Sequence, residues 1–539
     1  MAEPSQTAAP NPWEPVFQQA VQFHASGQLA EAASLFVAIL EYNPSHFPSL
    51  QRLTAIRRHQ GRLDESLALL QSAVDLYPNS AEARNSLGNT LNALGNRHEA
   101  IQQYQHAIAL RENFPEAHLN LANSLKSLGR FDEAAAAYQQ AIALRPDYVD
   151  AHTNLGGVLD RLNRPDDSLA SFSAALSFDP EVNLGHNNVG MALTRLNRFA
   201  EALPFFQRAR QLQPGAPQPV FNEALVRLAM GDFERGWPDY EARWRVPEFK
   251  QEPRQFAQPI WDGQSSLAGK TILLHAEQGL GDTILFARFI QPVAERGARV
   301  VTIVQKPLVG LIASVSGVAQ VLTSADPLPD FDLHAPLGSL PLALKTTLET
   351  IPSQTPYLHA PAESDALANL DPADPRPLVG VCWAGNPDYP SDHKRSIPLS
   401  IFQQLFQVPG VRFVSLQQNL RAGDDSILSQ FDNIDLVSDR KGCGLADTAA
   451  LIASLDLVIT VDTVIGHLAG ALGRPVWILL HFNGYWVWLR DRTDSPWYPT
   501  ARLFRQPHPG DWNTVLQQVA VTLPAKHPEL SSVQSGKPD

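Results

Sequence analysis

Apolar and polar positions recur with a fixed period in the first half of the chain, and the period predicts paired helices. Prolines stand 34 residues apart, or twice that distance, at Pro44, Pro78, Pro146, Pro180 and Pro214. A small residue keeps this spacing at Gly88, Ala122, Gly156, Gly190 and Ala224. A large ring keeps it at Tyr104, Tyr138, Phe172, Phe206 and Tyr240. A small residue allows two helices to cross closely, and a ring fills the groove between them.

The spacing is that of the tetratricopeptide repeat. It predicts an array over residues 13–244, with six full repeats and a seventh, GDFERGWPDYEARW, that leads out. The first two repeats carry Ala20 and Thr54 in the small-residue column, as expected of capping units. Stacked repeats form a superhelix whose concave surface holds an extended partner, so we expect an acceptor protein or peptide in the repeat groove.

Asparagines recur in the same register, two places before the small residue, at Asn120, Asn154, Asn188 and Asn222. One explanation is that asparagine is common at this position of the repeat. The other is a ladder of amides on the concave side that hydrogen-bonds to a peptide backbone. The column resembles the repeat ladder of eukaryotic O-GlcNAc transferase, which binds acceptor polypeptide in this way. This resemblance makes the four asparagines candidate acceptor-binding residues.

The second half alternates apolar strands with helices, which predicts parallel sheets covered on both faces. Two such series are separated by a proline-rich break, and a pair of α/β lobes resembles the GT-B glycosyltransferase fold. The predicted fold class is an all-α tetratricopeptide superhelix followed by an α/β GT-B fold of two Rossmann-like lobes. The predicted boundaries are a disordered N-terminus 1–12, the repeats 13–244, a connector 245–268, an N-terminal lobe 269–350, a linker 351–377, a C-terminal nucleotide-sugar-binding lobe 378–523 and a disordered tail 524–539.

A glycine loop opens the first lobe. The segment TILLHAEQGLGDTILF predicts a buried strand from Thr271 to His275, then Gly279, Gly281 and Asp282, then a helix. Glycines allow close approach of a ligand to the backbone, and a helix N-terminus favours an anion. A carboxylate repels phosphate, so Asp282 is either the helix N-cap or a base that faces a neutral hydroxyl.

The segment LDLVITVDTVIGHLAGALGRPVWILL carries the second constellation. A buried strand leads to Asp462 and Thr463, and the helix that follows contains His467. Ligands of open α/β sheets bind at this carboxyl edge, and the helix N-terminus suits a diphosphate. Asp462 has an alternative role as N-cap, and His467 either donates to phosphate or hydrogen-bonds within the turn.

A polar loop, WAGNPDYPSDHKRSIPL, supplies Asn386 and the cations Lys394 and Arg395. A cleft needs such charges to neutralise a departing nucleoside phosphate, although the pair also suits a solvated surface. Trp486 and Trp488 either line a ligand pocket or pack in the core. Asp330 and Asp332 form a D-x-D sequence before a strand, where a structural role is expected.

Composition narrows the possible partners and the compartment. The chain has 42 basic and 55 acidic residues among 539, a net charge of -13 that argues against nucleic-acid and anionic-membrane binding. Cys382 and Cys443 lack metal-ligand spacing and form no disulfide framework. The N-terminus does not resemble a secretory signal, and no apolar run is long enough to span a bilayer. We therefore expect a cytoplasmic protein with no membrane span and no metal site.

The DT-x-x-x-HLAGALG-x-P motif, together with the upstream GLGD loop, resembles the bacterial heptosyltransferase-type (glycosyltransferase family 9-like) enzymes that carry tetratricopeptide repeats in front. The resemblance covers residues 256–515. It implies that Asp282 is the catalytic base, and that Asp462, Thr463 and His467 bind the donor diphosphate. Arg395 matches a donor-contacting lysine, and Val464 replaces the usual glycine, which leaves the donor's identity open.

These observations predict a glycosyltransferase that moves a sugar from a nucleotide-sugar donor to a protein held by the repeats. No cofactor beyond this donor substrate is expected, and the absence of a suitably placed D-x-D motif predicts a metal-independent, inverting mechanism. The layout resembles that of flagellin glycosyltransferases, so the acceptor is expected to be flagellin or another surface protein. Two alternatives remain open: a heptosyltransferase-like enzyme with a glycan or lipid acceptor, and a catalytically inactive scaffold.

Overall fold

A computed structural model describes residues 12–181, 183–247, 254, 256–362, 374–389, 391–436 and 444–523. The predicted tail 524–539, and the predicted N-terminal tail up to residue 11, lie outside these ranges. Cys443 lies outside them as well. The chain divides into two compact units, Met1–Ala192 and Leu193–Asp539, and each is described by itself.

The first unit consists of antiparallel helix pairs, one pair per repeat. Its helices are α1 Glu14–Ala25, α2 Leu29–Tyr42, α3 Phe47–His59, α4 Leu63–Leu76, α5 Ala81–Ala93, α6 Arg97–Leu110, α7 Pro115–Ser127, α8 Phe131–Leu144, α9 Val149–Arg161, α10 Pro165–Phe178 and most of α11 Asn183–Arg195. The second unit opens with the remaining repeat helices, α12 Phe199–Leu212, α13 Pro217–Ala229 and α14 Phe233–Tyr240. The last repeats thus belong to the same compact unit as the α/β part of the chain.

The two periodic columns of the repeats meet in space. A Cβ atom on Gly88 would lie 2.5 Å from the Tyr104 ring, and one on Gly156 would lie 2.6 Å from the Phe172 ring. The small residue and the ring therefore occupy one contact between paired helices, as the period predicts.

A third column lies in the turn between the helices of each repeat. It has positive φ at Gly27, Gly61, Gly95, Gly129, Asn163, Asn197 and Gly231. Left-handed backbone at a helix end favours glycine, and asparagine is the usual substitute. The column therefore tolerates exchange between these two residue types.

The N-terminal lobe contains a parallel sheet of four strands in the order β3-β2-β1-β4. Its elements are β1 Thr271–His275, α15 Leu280–Ala287, α16 Ile290–Ala294, β2 Arg299–Ile303, α17 Val309–Ile312, β3 Val318–Leu322, β4 Leu333–Pro336 and α18 Leu340–Ala343. The strand predicted from Thr271 to His275 is β1. The single helix predicted after the glycine loop is in fact two, α15 and α16.

The C-terminal lobe contains a parallel sheet of six strands in the order β10-β9-β8-β5-β6-β7. Its elements are β5 Leu378–Cys382, α19 Asp392–Arg395, α20 Leu399–Phe402, β6 Arg412–Ser415, α21 Asp424–Leu428, β7 Ile434–Leu436, α22 Leu445–Ser454, β8 Leu457–Val461, α23 Val464–Ala471, β9 Val476–Leu480, β10 Ala501–Arg505 and α24 Trp512–Thr522. All residues of β8 and β9 are buried, which explains their uninterrupted apolar sequences. Strand β10 was not predicted from the sequence.

The all-helical repeats followed by two parallel α/β sheets are consistent with a tetratricopeptide array that precedes a GT-B-like domain in the sequence. Neighbouring strands β5 and β8 run parallel, so the loops that follow them meet at one edge of the sheet. Within the described ranges, no helix is both long and apolar enough to cross a membrane.

Candidate functional site

The glycine loop connects β1 to α15 and presents Asp282. Gly279 is the N-cap of α15, so the alternative that Asp282 is the N-cap is wrong. Asp282 instead lies in the first turn of the helix. A Cβ on Gly281 would lie 2.9 Å from Cδ2 of His467, so glycine allows the loop to contact α23 of the other lobe. The loop and the C-terminal lobe therefore meet where the sequence analysis placed base and donor.

Asp282 is only partly exposed, and its surroundings disfavour its negative charge. Burial raises the pKa of Asp282 to about 6, and the charge of Asp462 adds to this effect, while the Gly279 backbone N–H and the Tyr485 hydroxyl oppose it. The Tyr485 hydroxyl donates to Oδ1 of Asp282 at 3.4 Å. A carboxyl group with this pKa is mostly ionised at neutral pH and still accepts a proton readily.

The N-terminus of α23 lies at the carboxyl edge of the second sheet. Its N-cap is Thr463, so the suggestion that Asp462 caps this helix is wrong. The Thr463 hydroxyl lies 3.1 Å from that of Thr460, and both Asp462 and Thr463 are 8% exposed. Burial raises the pKa of Asp462, against the lowering effects of Trp488 and Arg395.

Arg395 connects the loop after β5 to the loop after β8. It donates from Nη1 to the Asp462 carbonyl at 3.1 Å and from Nε to Oδ1 of Asp392 at 3.2 Å. Its guanidinium lies 4.7 Å from the centre of the Tyr389 ring, which is half exposed. A Cβ on Gly385 would lie 2.6 Å from Arg395. Arg395 is therefore held at the sheet edge beside α23 and is not a solvated surface residue.

Lys394 and Asn386 belong to the same loop. Lys394 is partly buried on α19. Burial lowers the pKa of His481 to about 4, and the positive charges of Lys394, Arg505 and Arg195 add to this shift. Asn386 is exposed, and its side-chain oxygen accepts from the Asp388 N–H at 3.1 Å. Lys394 thus lies in a cationic part of the lobe, whereas Asn386 stabilises a turn.

His467 is enclosed by protein groups. It is 5% exposed, its ring stacks on Trp488 with a centroid distance of 5.3 Å, and its Nδ1 lies 3.0 Å from the Tyr498 hydroxyl. Burial lowers its pKa to about 3, and the charges of Arg288 and Arg395 add to this shift. Of the two roles considered for His467, the structure favours a neutral residue with a local hydrogen bond over a direct phosphate donor.

A buried ion pair that was not predicted from the sequence lies beneath the glycine loop. Arg243, in the turn Glu241–Arg245 after the last repeat helix, is fully buried and pairs with Oε1 of Glu277 at 2.8 Å. Arg243 also donates to Ser339 Oγ at 2.8 Å. Burial raises the pKa of Glu277 to about 7, against the lowering effect of Arg243. The end of the repeat array therefore supports the loop that carries Asp282.

Arg288, at the end of α15, links the two lobes through the linker. It donates to the Tyr357 hydroxyl at 3.1 Å and to the backbone carbonyl of Trp497. Its guanidinium also lies 4.5 Å from the centre of the Tyr498 ring. The side chain is 3% exposed, so these contacts fix the relative position of the loop and α23.

Two other sequence expectations, on the tryptophans and on the D-x-D segment, have structural outcomes. Trp486 and Trp488 are 3% and 0% exposed, so they pack in the core, the second of the two roles considered. The D-x-D segment is structural, because Oδ2 of Asp332 accepts from the Thr271 N–H at 2.7 Å. Among the described residues, no group of His, Cys, Asp and Glu side chains is arranged to hold a metal ion.

The candidate asparagine ladder hydrogen-bonds to neighbouring side chains at three positions, Asn120, Asn154 and Asn222. Asn120 donates to Asn85 at 3.0 Å, and Asn154 accepts from Lys126 at 2.7 Å. Asn188 is partly buried on α11. Asn222 departs from the expectation of an open concave position, because it is 5% exposed and accepts from Gln218 at 3.1 Å.

Comparison with known proteins agrees with the class that fold and site define. Tetratricopeptide-repeat models match residues 48–113, 119–183 and 158–217, and the glycosyltransferase family 9 (heptosyltransferase) model matches residues 442–479. The chain therefore combines tetratricopeptide repeats with an α/β segment that matches the family 9 model. The family 9 match includes Asp462, Thr463 and His467.

Individual relatives cover only part of the chain. Protein FlbA of Caulobacter vibrioides is 29% identical over 347 residues, which are 58% of this chain and 56% of that protein. The chain thus spans little more than half the length of this relative. Two solved repeat structures are also similar: MamA is 24% identical with a TM-score of 0.28 and covers 30% of this chain and 94% of its own. YrrB, described as a TPR protein with an unusual peptide-binding site, is 21% identical with a TM-score of 0.32 and covers 36% and 100%.

Proposed function

We propose that the protein is a glycosyltransferase that moves a sugar from a nucleotide-sugar donor to a hydroxyl of a protein bound by the repeats. The observation that carries the proposal is the position of Asp282. A carboxyl group whose pKa is raised to about 6 lies on the N-terminal lobe's glycine loop, which contacts the family 9-like helix α23 through Gly281 and His467.

Asp282 acts in this proposal as the general base. It removes the proton from the acceptor hydroxyl as that oxygen attacks the anomeric carbon of the donor sugar, and the bond to the nucleoside diphosphate breaks. Attack from the face opposite the leaving group inverts the anomeric configuration. A positioned base contributes about 10² to 10⁴ in rate.

The leaving diphosphate is stabilised by the edge of the C-terminal sheet. Arg395 and Lys394 supply positive charge, and the Thr463 hydroxyl and the first N–H groups of α23 supply donors. Asp462 orients this edge through its backbone carbonyl, which accepts from Arg395. His467 fills the space behind Gly281 and fixes the distance between loop and helix. These cations stabilise the leaving group without a metal ion.

The acceptor is proposed to be a protein, such as flagellin or another surface protein modified before export. Support for a protein acceptor comes from the repeats, whose stacked helices form surfaces suited to extended polypeptide. The fully buried Arg243 joins the last repeat to the catalytic loop, which favours a direct role of the array in catalysis over one in localisation alone.

Nucleotide binding and turnover separate this proposal from its alternatives. A thermal-shift screen of nucleoside diphosphates identifies the donor, because a ligand of the folded form raises its melting temperature. Asp282→Asn is expected to keep this shift and to lower turnover of the matching nucleotide sugar at least a hundredfold. Binding without turnover in wild type indicates a scaffold, and transfer only to a glycan or lipid indicates the heptosyltransferase-like alternative.

The metal dependence has its own test. Turnover of the identified donor with excess chelator is expected to remain within twofold of the untreated rate. Abolition by chelator, with recovery on adding a divalent cation, would contradict a metal-independent mechanism.

A further inference from the structure

The loop of residues 482–490 follows β9 and lies against the glycine loop; we call it the bracing loop. It carries Tyr485, whose hydroxyl donates to Oδ1 of Asp282 at 3.4 Å. Asp282 and Tyr485 come from different lobes, and 203 positions separate them in sequence. The bond therefore joins the bracing loop directly to the glycine loop.

Repeat residues hold the bracing loop at both of its ends. Nδ2 of Asn197, in the turn between α11 and α12, donates to the Phe482 carbonyl at 2.8 Å. Arg490 donates to the Asn197 carbonyl, and its guanidinium lies 4.6 Å from the centre of the Phe199 ring. One turn of the sixth repeat thus binds the first and the last residue of the loop.

The seventh repeat holds the middle of the bracing loop. The Trp486 ring contacts Trp237 edge-on with a centroid distance of 5.5 Å, and it lies 6.0 Å from the Tyr240 ring. Tyr240 in turn accepts from Gln278 of the glycine loop at 2.8 Å. The repeats therefore hold the bracing loop and the glycine loop in contact with each other.

We propose that Tyr485 is a positioning residue that orients the Asp282 carboxylate, and that the sixth and seventh repeats set this orientation by holding the bracing loop. The proposal rests on the proposed function. In this proposal the repeats have a second role beside acceptor binding. A change in the conformation of the sixth or seventh repeat would shift Tyr485 and so alter the orientation of the Asp282 carboxylate.

Several charged or titratable groups influence Asp282 and must be kept in any test. They are Asp462 after β8, Glu277 before the glycine loop, Tyr240 of the seventh repeat, Tyr389 of the loop after β5 and Tyr485 itself. Of these, Tyr485 makes the side-chain hydrogen bond to Asp282. Removing only its hydroxyl leaves the other groups unchanged.

The first test is the pH profile of Tyr485→Phe. Loss of a donor to a carboxylate disfavours the ionised form, so the acidic limb of kcat is expected to move up by about half to one pH unit. We expect kcat at the optimum to fall about three- to tenfold, with donor KM within twofold of wild type. Tyr42→Phe, which changes an exposed ring packed on Trp13, is the control and should match wild type.

The second test uses two asparagines in the same left-handed column. Asn197→Gly keeps the backbone conformation and removes only the amide that binds the bracing loop. Asn163→Gly makes the same change at the exposed equivalent in the preceding repeat. Asn197→Gly is expected to move the acidic limb in the same direction as Tyr485→Phe, and Asn163→Gly is expected to leave it in place.

Each failure has a separate meaning. An acidic limb that stays at its wild-type position in folded Tyr485→Phe overturns the positioning role while the proposed function stands. If Tyr485→Phe moves the limb and Asn197→Gly does not, the role of the sixth repeat is overturned. Absence of turnover in wild type at every pH overturns the proposed function, and the inference with it.

Discussion

At the scale of single residues, the site depends on a carboxylate kept in an unfavourable environment. Burial and the nearby Asp462 charge raise the pKa of Asp282 to about 6, and Glu277 shows a similar rise to about 7 although Arg243 pairs with it. Groups whose charged form is disfavoured by the folded structure lower the stability of that structure and are typical of functional sites. Function and stability should therefore conflict at position 282.

Because of this conflict, replacing Asp282 by asparagine should stabilise the fold by an amount that depends on pH. The folded-state pKa of Asp282 lies above its unfolded value, so the ionised form destabilises the fold above pH 6, and this cost disappears as the pH falls towards 4. Asp282→Asn is expected to raise the free energy of unfolding by about 1 to 3 kcal/mol at pH 8. Denaturant titrations at pH 8 and pH 4 measure it, and the variant should gain less at pH 4. An equal effect at both pH values would show that charge is not the cause.

At the scale of elements, glycines mark the closest contacts between helices. In α9, Gly156 lies against the Phe172 ring, whereas at the adjacent Gly157 an added Cβ would have no heavy atom within 4 Å. The two positions differ in packing and not in backbone conformation, so they form a matched pair. Packing should oppose a methyl group at the first position, and helix propensity should favour it at the second.

We expect Gly156→Ala to destabilise the protein by about 1 to 3 kcal/mol through overpacking. Gly157→Ala is expected to stabilise it by about 0.5 to 1 kcal/mol, because alanine is the better helix former. Thermal unfolding of both variants checks the pair. Equal shifts of the melting temperature in the two variants would show that the contact between the small-residue and ring columns is not the basis of repeat packing.

A second pair of glycines tests the contact between the glycine loop and α23. Gly281→Ala places a methyl group against the buried His467 ring, which cannot move away from Trp488, and should lower both melting temperature and turnover. Gly310→Ala in α17 of the same lobe meets no heavy atom within 4 Å and should leave turnover unchanged. A Gly281→Ala variant with wild-type turnover would show that this close contact is not required.

Elements that have a local sequence pattern could be predicted from the sequence, and contacts between distant segments could not. Strand β1, the glycine loop and the start of α23 follow from local patterns of apolar residues and glycines. Strand β10 was missed, since its sequence ARLFR alternates with polar residues beside longer apolar runs. The pairs Arg243 with Glu277 and Tyr485 with Asp282 were missed because they form between distant segments, and no period or motif connects their partners.

At the scale of the whole molecule, the proposed function assigns acceptor binding to the repeats and sugar transfer to the α/β domain. We propose that the asparagine column binds the acceptor, and two of its members, Asn154 and Asn188, are only partly buried. Asn154→Ala with Asn188→Ala is expected to weaken acceptor binding about tenfold, the equivalent of about 1.4 kcal/mol, and to leave donor hydrolysis unchanged. Calorimetric titration of the acceptor measures the first, and unchanged affinity would exclude the ladder.

The most direct measurement of the central claim is the intact mass of a candidate acceptor protein co-expressed with wild type or with Asp282→Asn. We predict that wild type adds the mass of one or more sugar residues to the acceptor and that the variant, although folded and able to bind the nucleotide, adds none. An acceptor of unchanged mass with wild type supplied with its donor, or equal modification by both proteins, would contradict the assignment of Asp282 as the base of a protein glycosyltransferase.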